Sequence, residues 1–159
     1  MVEDKKKQDL PEQLAAAFEL TMHQLTLLGH RLPKTVETMT PQQLKVLSIL
    51  AFAGKPLPMS ELSARVGVTP GTLTEVAKRL VKSGHLSRER LPEDDRVVQL
   101  SLTPEGVATV AAIRRQRIEL FREICAALDR STCKALLESH QFIAETYGQV
   151  HLQRQEGLE

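Results

Sequence analysis

Apolar residues recur every three or four positions along both flanks of the chain and switch to a two-residue alternation near its centre, at residues 86–91 and 97–102. The first period belongs to amphipathic helices and the second to half-buried strands. In the N-terminal flank, Asp9-Leu-Pro-Glu12 has the form of a helix start, and Leu14, Phe18, Leu25, Leu28 and Leu32 carry an apolar stripe up to Pro33. Thr40-Pro41-Gln42-Gln43 opens another helix with a capping box and a first-position proline, turning Leu44, Leu47, Leu50 and Ala51 towards the centre of the chain. After Thr103-Pro104 a long helix carries Val107, Val110, Ala111, Ile118, Phe121 and Ile124. A break at Asp129 to Thr132 precedes a last helix with Leu136, Leu137, Ile143, Tyr147 and Val150.

The central stretch is the most specific. A short helix near Ser60 to Val66 stops at Gly67, suited to a left-handed cap. Thr69 caps the next helix and Pro70 occupies its first position, where no amide hydrogen is needed. Leu73, Val76, Ala77 and Leu80 then point inward, whereas Thr72, Glu75, Lys78, Arg79 and Lys82 fall on the outer face. Ser83-Gly84 ends this helix. Leu86 to Leu91 and Val97 to Leu102 follow as a hairpin around Pro92-Glu-Asp-Asp-Arg96, with Arg96 at or beside its tip, and residues 54–58 form a connector able to add a third strand. Two short helices across a tight turn, then a charged hairpin, form a winged helix-turn-helix, which places its second helix in a DNA major groove.

Four features resemble the multiple antibiotic resistance regulator (MarR) family of bacterial winged-helix transcription factors. They are Leu80-x-x-x-Gly84-His-Leu-x-Arg88, Asp94-x-Arg96, Leu100-x-Leu102-Thr103-x-x-Gly106, and the long helices on either side. The resemblance covers nearly the whole chain. It implies a mainly α fold, a winged helix-turn-helix with N- and C-terminal dimerisation helices. The expected organisation is a single domain over 1–159, with a DNA-binding unit at 40–103 and dimerisation helices at 9–32 and 104–155.

The resemblance also implies that Arg96 enters the minor groove and that Asp94 orients the wing. The expected DNA-facing set is Thr69, Pro70, Gly71, Thr72, Thr74, Glu75, Lys78, Arg79, Lys82, Arg88, Asp94 and Arg96. A two-fold dimer would set two recognition helices about one DNA turn apart, matching a palindromic operator. Family members respond to small amphipathic or aromatic effectors bound between dimer helices and winged unit, which here suggests Met22, His23, Leu27 and Met39 as a lining.

Charge tempers this picture. Positions where family members often carry a second wing cation and a recognition-helix arginine are Asp95 and Glu75. From Lys55 to Thr103 there are eight Lys or Arg against six Asp or Glu, a net of +2, so non-specific DNA affinity is expected to be modest and salt-sensitive. Glu75 either accepts a hydrogen bond from cytosine N4 or pairs with Lys78 or Arg79 on its own face.

The whole chain has a formal charge of +1 and 3% aromatic residues, with no Trp, so neither a polybasic coat nor base stacking on aromatic platforms is its mode of binding. The N-terminus is a charged run without an apolar core, and no stretch approaches the ~20 apolar residues of a membrane helix, which predicts a cytoplasmic protein. No catalytic set and no metal-ligand spacing emerge among the five histidines and two cysteines, so no enzymatic activity, cofactor or metal is expected. His23 with His30, and His140 with His151, read as solvated or hydrogen-bonded side chains or as an inter-helix metal site. Cys125 and Cys133 read as small core residues on apolar stripes, or as sensing thiols whose pKa is lowered by Arg122, Arg130 and Lys134.

The reading that unites these features is a homodimeric DNA-binding repressor released by an effector. Its rivals are a winged-helix adaptor that binds protein, favoured by Glu75, Asp94 and Asp95, and a metal- or thiol-responsive sensor.

Overall fold

The computed structural model describes residues 9–27, 34–91 and 94–156. Leu28, His30, Leu32 and Pro33 lie outside the described residues, as do the side chains of Leu25, Leu27, Asp95, Val150 and His151. In chain order the elements are α1 (Leu10–Leu27), α2 (Lys34–Glu37), α3 (Pro41–Ala53), β1 (Leu57–Pro58), α4 (Met59–Val66), α5 (Pro70–Lys82), β2 (Leu86–Leu91), β3 (Asp94–Leu102), α6 (Pro104–Ala126) and α7 (Arg130–Glu156). The chain forms two compact units, residues 1–116 and 117–159.

Helix boundaries in the first unit follow local chemistry. Thr40 and Gln43 cap α3 reciprocally: the Thr40 hydroxyl accepts the Gln43 N–H at 3.3 Å, and Gln43 Oε1 accepts the Thr40 N–H at 2.8 Å. This leaves no first-turn donor of that box without an acceptor. Gly67 ends α4 with φ 74°, a left-handed conformation that glycine adopts without a Cβ penalty. Lys45 reaches the same end, donating to the Val66 carbonyl at 2.7 Å.

The core is built where these elements converge. Val46, Leu47 and Leu50 of α3 pack with Leu62 and Val66 of α4, Leu73, Ala77 and Leu80 of α5, and Leu57, Leu86 and Leu100 of the sheet. All are buried; of the two residues 46 and 47, only Leu47 stood out in the helical spacing, because Val46 borders the stripe. The sheet order is β1-β3-β2, both pairs antiparallel. The two-residue β1 joins through Leu57–Leu100 and Pro58–Gln99, so the connector does supply the third strand.

Two boundaries differ from the sequence reading. β3 begins at Asp94, three residues before Val97, and Arg96 therefore lies within a strand, not in a loop. The cause is an irregular register: pairing jumps from Arg90–Val98 to Leu91–Asp94, leaving residues 95–97 as extra length on β3, a bulge that bends the ladder without ending it. The last break is also shorter, since α7 starts at Arg130. The Asp129 carboxylate accepts the backbone N–H groups of Ser131 at 2.9 Å and Thr132 at 3.0 Å, which draws both residues into the helix.

Candidate nucleic-acid interface

Helix α5 presents its N-terminal turn to solvent. Thr69 Oγ1 accepts the Thr72 N–H at 3.2 Å and lies 2.9 Å from the Thr72 hydroxyl, fixing both threonines at the helix entrance. Thr69, Pro70, Gly71 and Thr72 are all exposed. Thr74 is turned differently: it is half-buried and its hydroxyl donates to the Pro70 carbonyl at 2.8 Å.

Further along, Leu73, Ala77 and Leu80 face the core, and Glu75, Lys78, Arg79 and Lys82 face water. Lys78 Nζ donates to Glu75 Oε1 at 2.8 Å, one helical turn back. The same contact holds the Glu75 carboxyl below the ordinary carboxylate value, with the Lys78 charge and then Arg79 adding to the effect. Of the two readings of Glu75, the structure contains the pairing with Lys78.

The β2–β3 hairpin stands beside this helix. Arg88 shares a recess of about 210 Å³ with Met59, Thr74, Ala77, Lys78, Val81 and Lys82, so it borders the C-terminal half of α5. Arg90, two residues on and therefore on the same face of β2, lines a shallow depression with Arg88, Glu89 and Val98. Arg90 was not among the expected residues, although the Arg-x-Arg alternation was its signal. At the far end, Asp94 Oδ1 accepts the Arg96 N–H at 3.0 Å, and the Arg96 side chain is exposed.

The motif residues outside this surface hold it in place. The Thr103 hydroxyl donates to the Gly84 carbonyl at 2.6 Å and accepts the Gly106 N–H at 3.1 Å, while the Thr103 N–H bonds the His85 carbonyl at 3.1 Å. The buried His85 has its Nδ1 2.8 Å from the Ser83 hydroxyl. The end of α5, the start of β2 and the start of α6 are thereby tied at one point.

A separate groove of about 450 Å³ runs between α3, the connector, the end of β3 and the first turns of α6. Leu50, Ala51, Leu102, Val107, Val110 and Ala111 give it an apolar floor, and its charged residues are Lys55 and Arg114, with no carboxylate among them. Sequence reasoning did not single these cations out. Of the residues expected to line an effector site, Met22 and His23 are exposed on α1 and Met39 packs against the core; none of the three borders this groove.

The sequence model of the MarR family matches residues 39–98. The chain is 35% identical over 100 residues to the HTH-type transcriptional repressor MdtR of Bacillus subtilis, a match covering 60% of this chain and 63% of that one. It is 33% identical over 124 residues to Mb0904 of Mycobacterium bovis, named as an uncharacterised HTH-type transcriptional regulator, with 77% and 85% covered. The chain thus spans a little under two thirds of the length of the first relative and most of the second. Among solved structures it resembles NadR in complex with 4-hydroxyphenylacetate, at 26% identity and a TM-score of 0.60 over 92% of this chain and 97% of that one.

Proposed function

The chain belongs to the MarR family of transcriptional regulators, and on that premise we propose that it is a homodimeric repressor that binds a palindromic double-stranded operator and is released by a small effector. The observation that carries the DNA-binding reading is the exposed N-terminal turn of α5 together with the hairpin whose Arg88 borders that helix and which bears an exposed Arg96, its backbone anchored by Asp94. Thr69, Pro70, Gly71 and Thr72 would meet base edges in the major groove. Lys82, Arg79, Arg88 and Arg90 would meet phosphate, with Arg96 in the adjacent minor groove. Repression follows the sense of the MdtR name.

The dimer reading rests on apolar residues left in water. Leu14 and Phe18 of α1 are each 62% exposed, and Ile143 and Tyr147 of α7 are 50% and 72% exposed, a poor arrangement for an isolated chain. A second copy would cover these faces.

For the effector, the groove with Lys55 and Arg114 fits a small molecule that joins an aromatic or aliphatic body to a carboxylate. Its volume lies in the range of small-ligand sites, and its two cations sit above an apolar floor. The complex of NadR with 4-hydroxyphenylacetate supports an acid of this class.

The test is fluorescence anisotropy of the full chain on DNA from upstream of its own coding sequence, across a salt series, with and without 4-hydroxyphenylacetate. Binding to one site with a steep salt dependence and at least tenfold preference over scrambled DNA is the expected result. Absence of any such preference would leave the protein-binding adaptor reading in its place. Weakening of DNA binding by the acid in the wild type, but not in Arg114→Met, is expected of the effector reading.

A further inference from the structure

The turn between α6 and α7 brings the two cysteines of the chain together. Cys125 lies in the last turn of α6 and Cys133 in the first turn of α7, and the connecting residues are held by several bonds. Ala127 N–H bonds the Ile124 carbonyl at 3.1 Å, Leu128 N–H bonds the Cys125 carbonyl at 3.4 Å, and Cys133 N–H bonds the Asp129 carbonyl at 3.1 Å. The Cys133 thiol then reaches back across the turn to the Cys125 carbonyl oxygen at 3.7 Å. Contrary to the core positions expected from the apolar spacing, Cys125 is exposed and Cys133 half-exposed.

We propose that Cys125 and Cys133 are a dithiol modification site that exchanges with low-molecular-weight disulfides and closes to an intrachain disulfide across the α6–α7 turn. A disulfide requires Cα atoms roughly 4.4–6.8 Å apart, and the Cys133 sulfur, 3.7 Å from the Cys125 carbonyl oxygen, already lies against the partner residue. The turn is also built to keep that geometry, because the Asp129 carboxylate takes the hydroxyl hydrogen of Thr132 at 2.6 Å in addition to its two backbone donors.

The two sulfurs have different roles. The Cys133 thiol, which donates to the Cys125 carbonyl oxygen, is pushed up from its ordinary value by the Cys125 side chain beside it first, then by partial burial and the neighbouring Cys125 and Asp129 charges. Two of the three cations expected to activate the pair are turned to other partners: Arg122 pairs with Glu119, and Lys134 with Glu138 at 3.7 Å. Cys125, the exposed thiol, is therefore the first to react. Its thiolate attacks one sulfur of the small disulfide, whose S–S bond breaks and releases a thiolate that takes up a proton. Cys133 then loses its proton to water and attacks Sγ of Cys125, breaking the mixed disulfide and releasing the second small thiol. The two protein thiols lose two electrons and two protons, and the small disulfide is reduced to two thiols. The second step is intramolecular, which offsets the raised pKa of its nucleophile.

The experiment incubates the full-length reduced protein with oxidised glutathione and follows intact mass, free thiols and non-reducing electrophoresis. The wild type should lose both free thiols and two hydrogens of mass while remaining a single chain. Cys133→Ser should stop at a glutathione adduct on Cys125, and Cys125→Ser should react at least about tenfold more slowly. Glutathione on both cysteines of the wild type, chains linked covalently to each other, or no reaction in the folded protein when the urea-unfolded chain reacts, would each overturn the proposal. Both positions reach solvent, so serine is tolerated, and the wild-type result stands without the variants. None of these readouts depends on DNA binding.

Discussion

The carboxylate of Asp94 accepts the backbone N–H of Arg96 at 3.0 Å, inside a bulge where β3 carries more residues than β2 can pair. A bulged strand alone would leave the direction of the residue at its crest loosely set; the carboxylate fixes the Arg96 backbone from two residues away. The exposed guanidinium thus projects from a constrained main chain.

Arg96→Ala should weaken binding to the operator by about 1–3 kcal/mol while leaving helicity and assembly unchanged. Asp94→Ala should cause a smaller loss, since the charge survives and only its aim is relaxed. Anisotropy titrations on one DNA duplex rank the two; an Asp94 variant weaker than the Arg96 variant would mean that the carboxylate supports the hairpin as a whole.

Gly106 and Gly148 form a matched pair for stability. A Cβ on Gly106 would lie 2.2 Å from the His85 backbone carbonyl oxygen, at the point where α5, β2 and α6 are tied, whereas a Cβ on Gly148 in α7 meets nothing within 4 Å. Gly106→Ala should therefore cost about 1–3 kcal/mol from forced backbone movement. Gly148→Ala should gain roughly 0.5–1 kcal/mol by lowering the chain entropy of a helical position. Urea unfolding of both variants checks the signs, and equal effects would remove the close approach as the reason for glycine at 106.

What the sequence discloses here is the chemistry that acts locally. The Thr40–Gln43 box, Thr69-Pro70, Gly67 and Ser83-Gly84 each satisfy or end a helix with their own atoms, and each lies where the pattern places it. The resemblance to winged-helix regulators likewise rests on residues whose contacts are short-range in space, such as Thr103 with Gly84 and Gly106. The rest depends on what the chain brings together from a distance. The start of β3 follows from a register jump that strand alternation does not encode. Lys55 and Arg114 acquire a shared groove only once α6 passes the connector. Thr74 differs from Thr72 because its hydroxyl is taken by the helix backbone, and the cysteines meet because Asp129 shortens the break that precedes α7.

The Glu75–Lys78 pair takes up one of the cations on the outer face of α5. With its pKa held below the ordinary carboxylate value, Glu75 remains charged at any pH above that value, and the pairing is lost only as pH falls through the lowered one. At neutral pH, Glu75→Gln should therefore free Lys78, strengthen binding to all sequences alike, and steepen the slope of log affinity against log salt by up to about one unit. Lys78→Ala made in the Glu75→Gln background should make that slope shallower by about one unit. A Glu75→Gln variant that instead changes the preferred base at one operator position would assign Glu75 to base reading and end its role as a competitor for Lys78.

Assembly is the step on which operator geometry depends. Phe18 and Tyr147, on α1 and α7, are large, apolar over most of their surface and exposed, so a negative charge at either position would be harmless to a lone chain. In a dimer that covers them the same charge would be buried without a partner. Phe18→Glu and Tyr147→Glu should therefore leave helicity intact while weakening self-association at least tenfold, and each should bind a full palindrome little better than a half-site, because linkage of two winged units is what raises the apparent affinity. Sedimentation and anisotropy on the same samples measure both effects. A wild-type chain that sediments at 17.7 kDa at micromolar concentration and still binds a full operator more tightly than a half-site would exclude the dimer and any release mechanism built on its geometry.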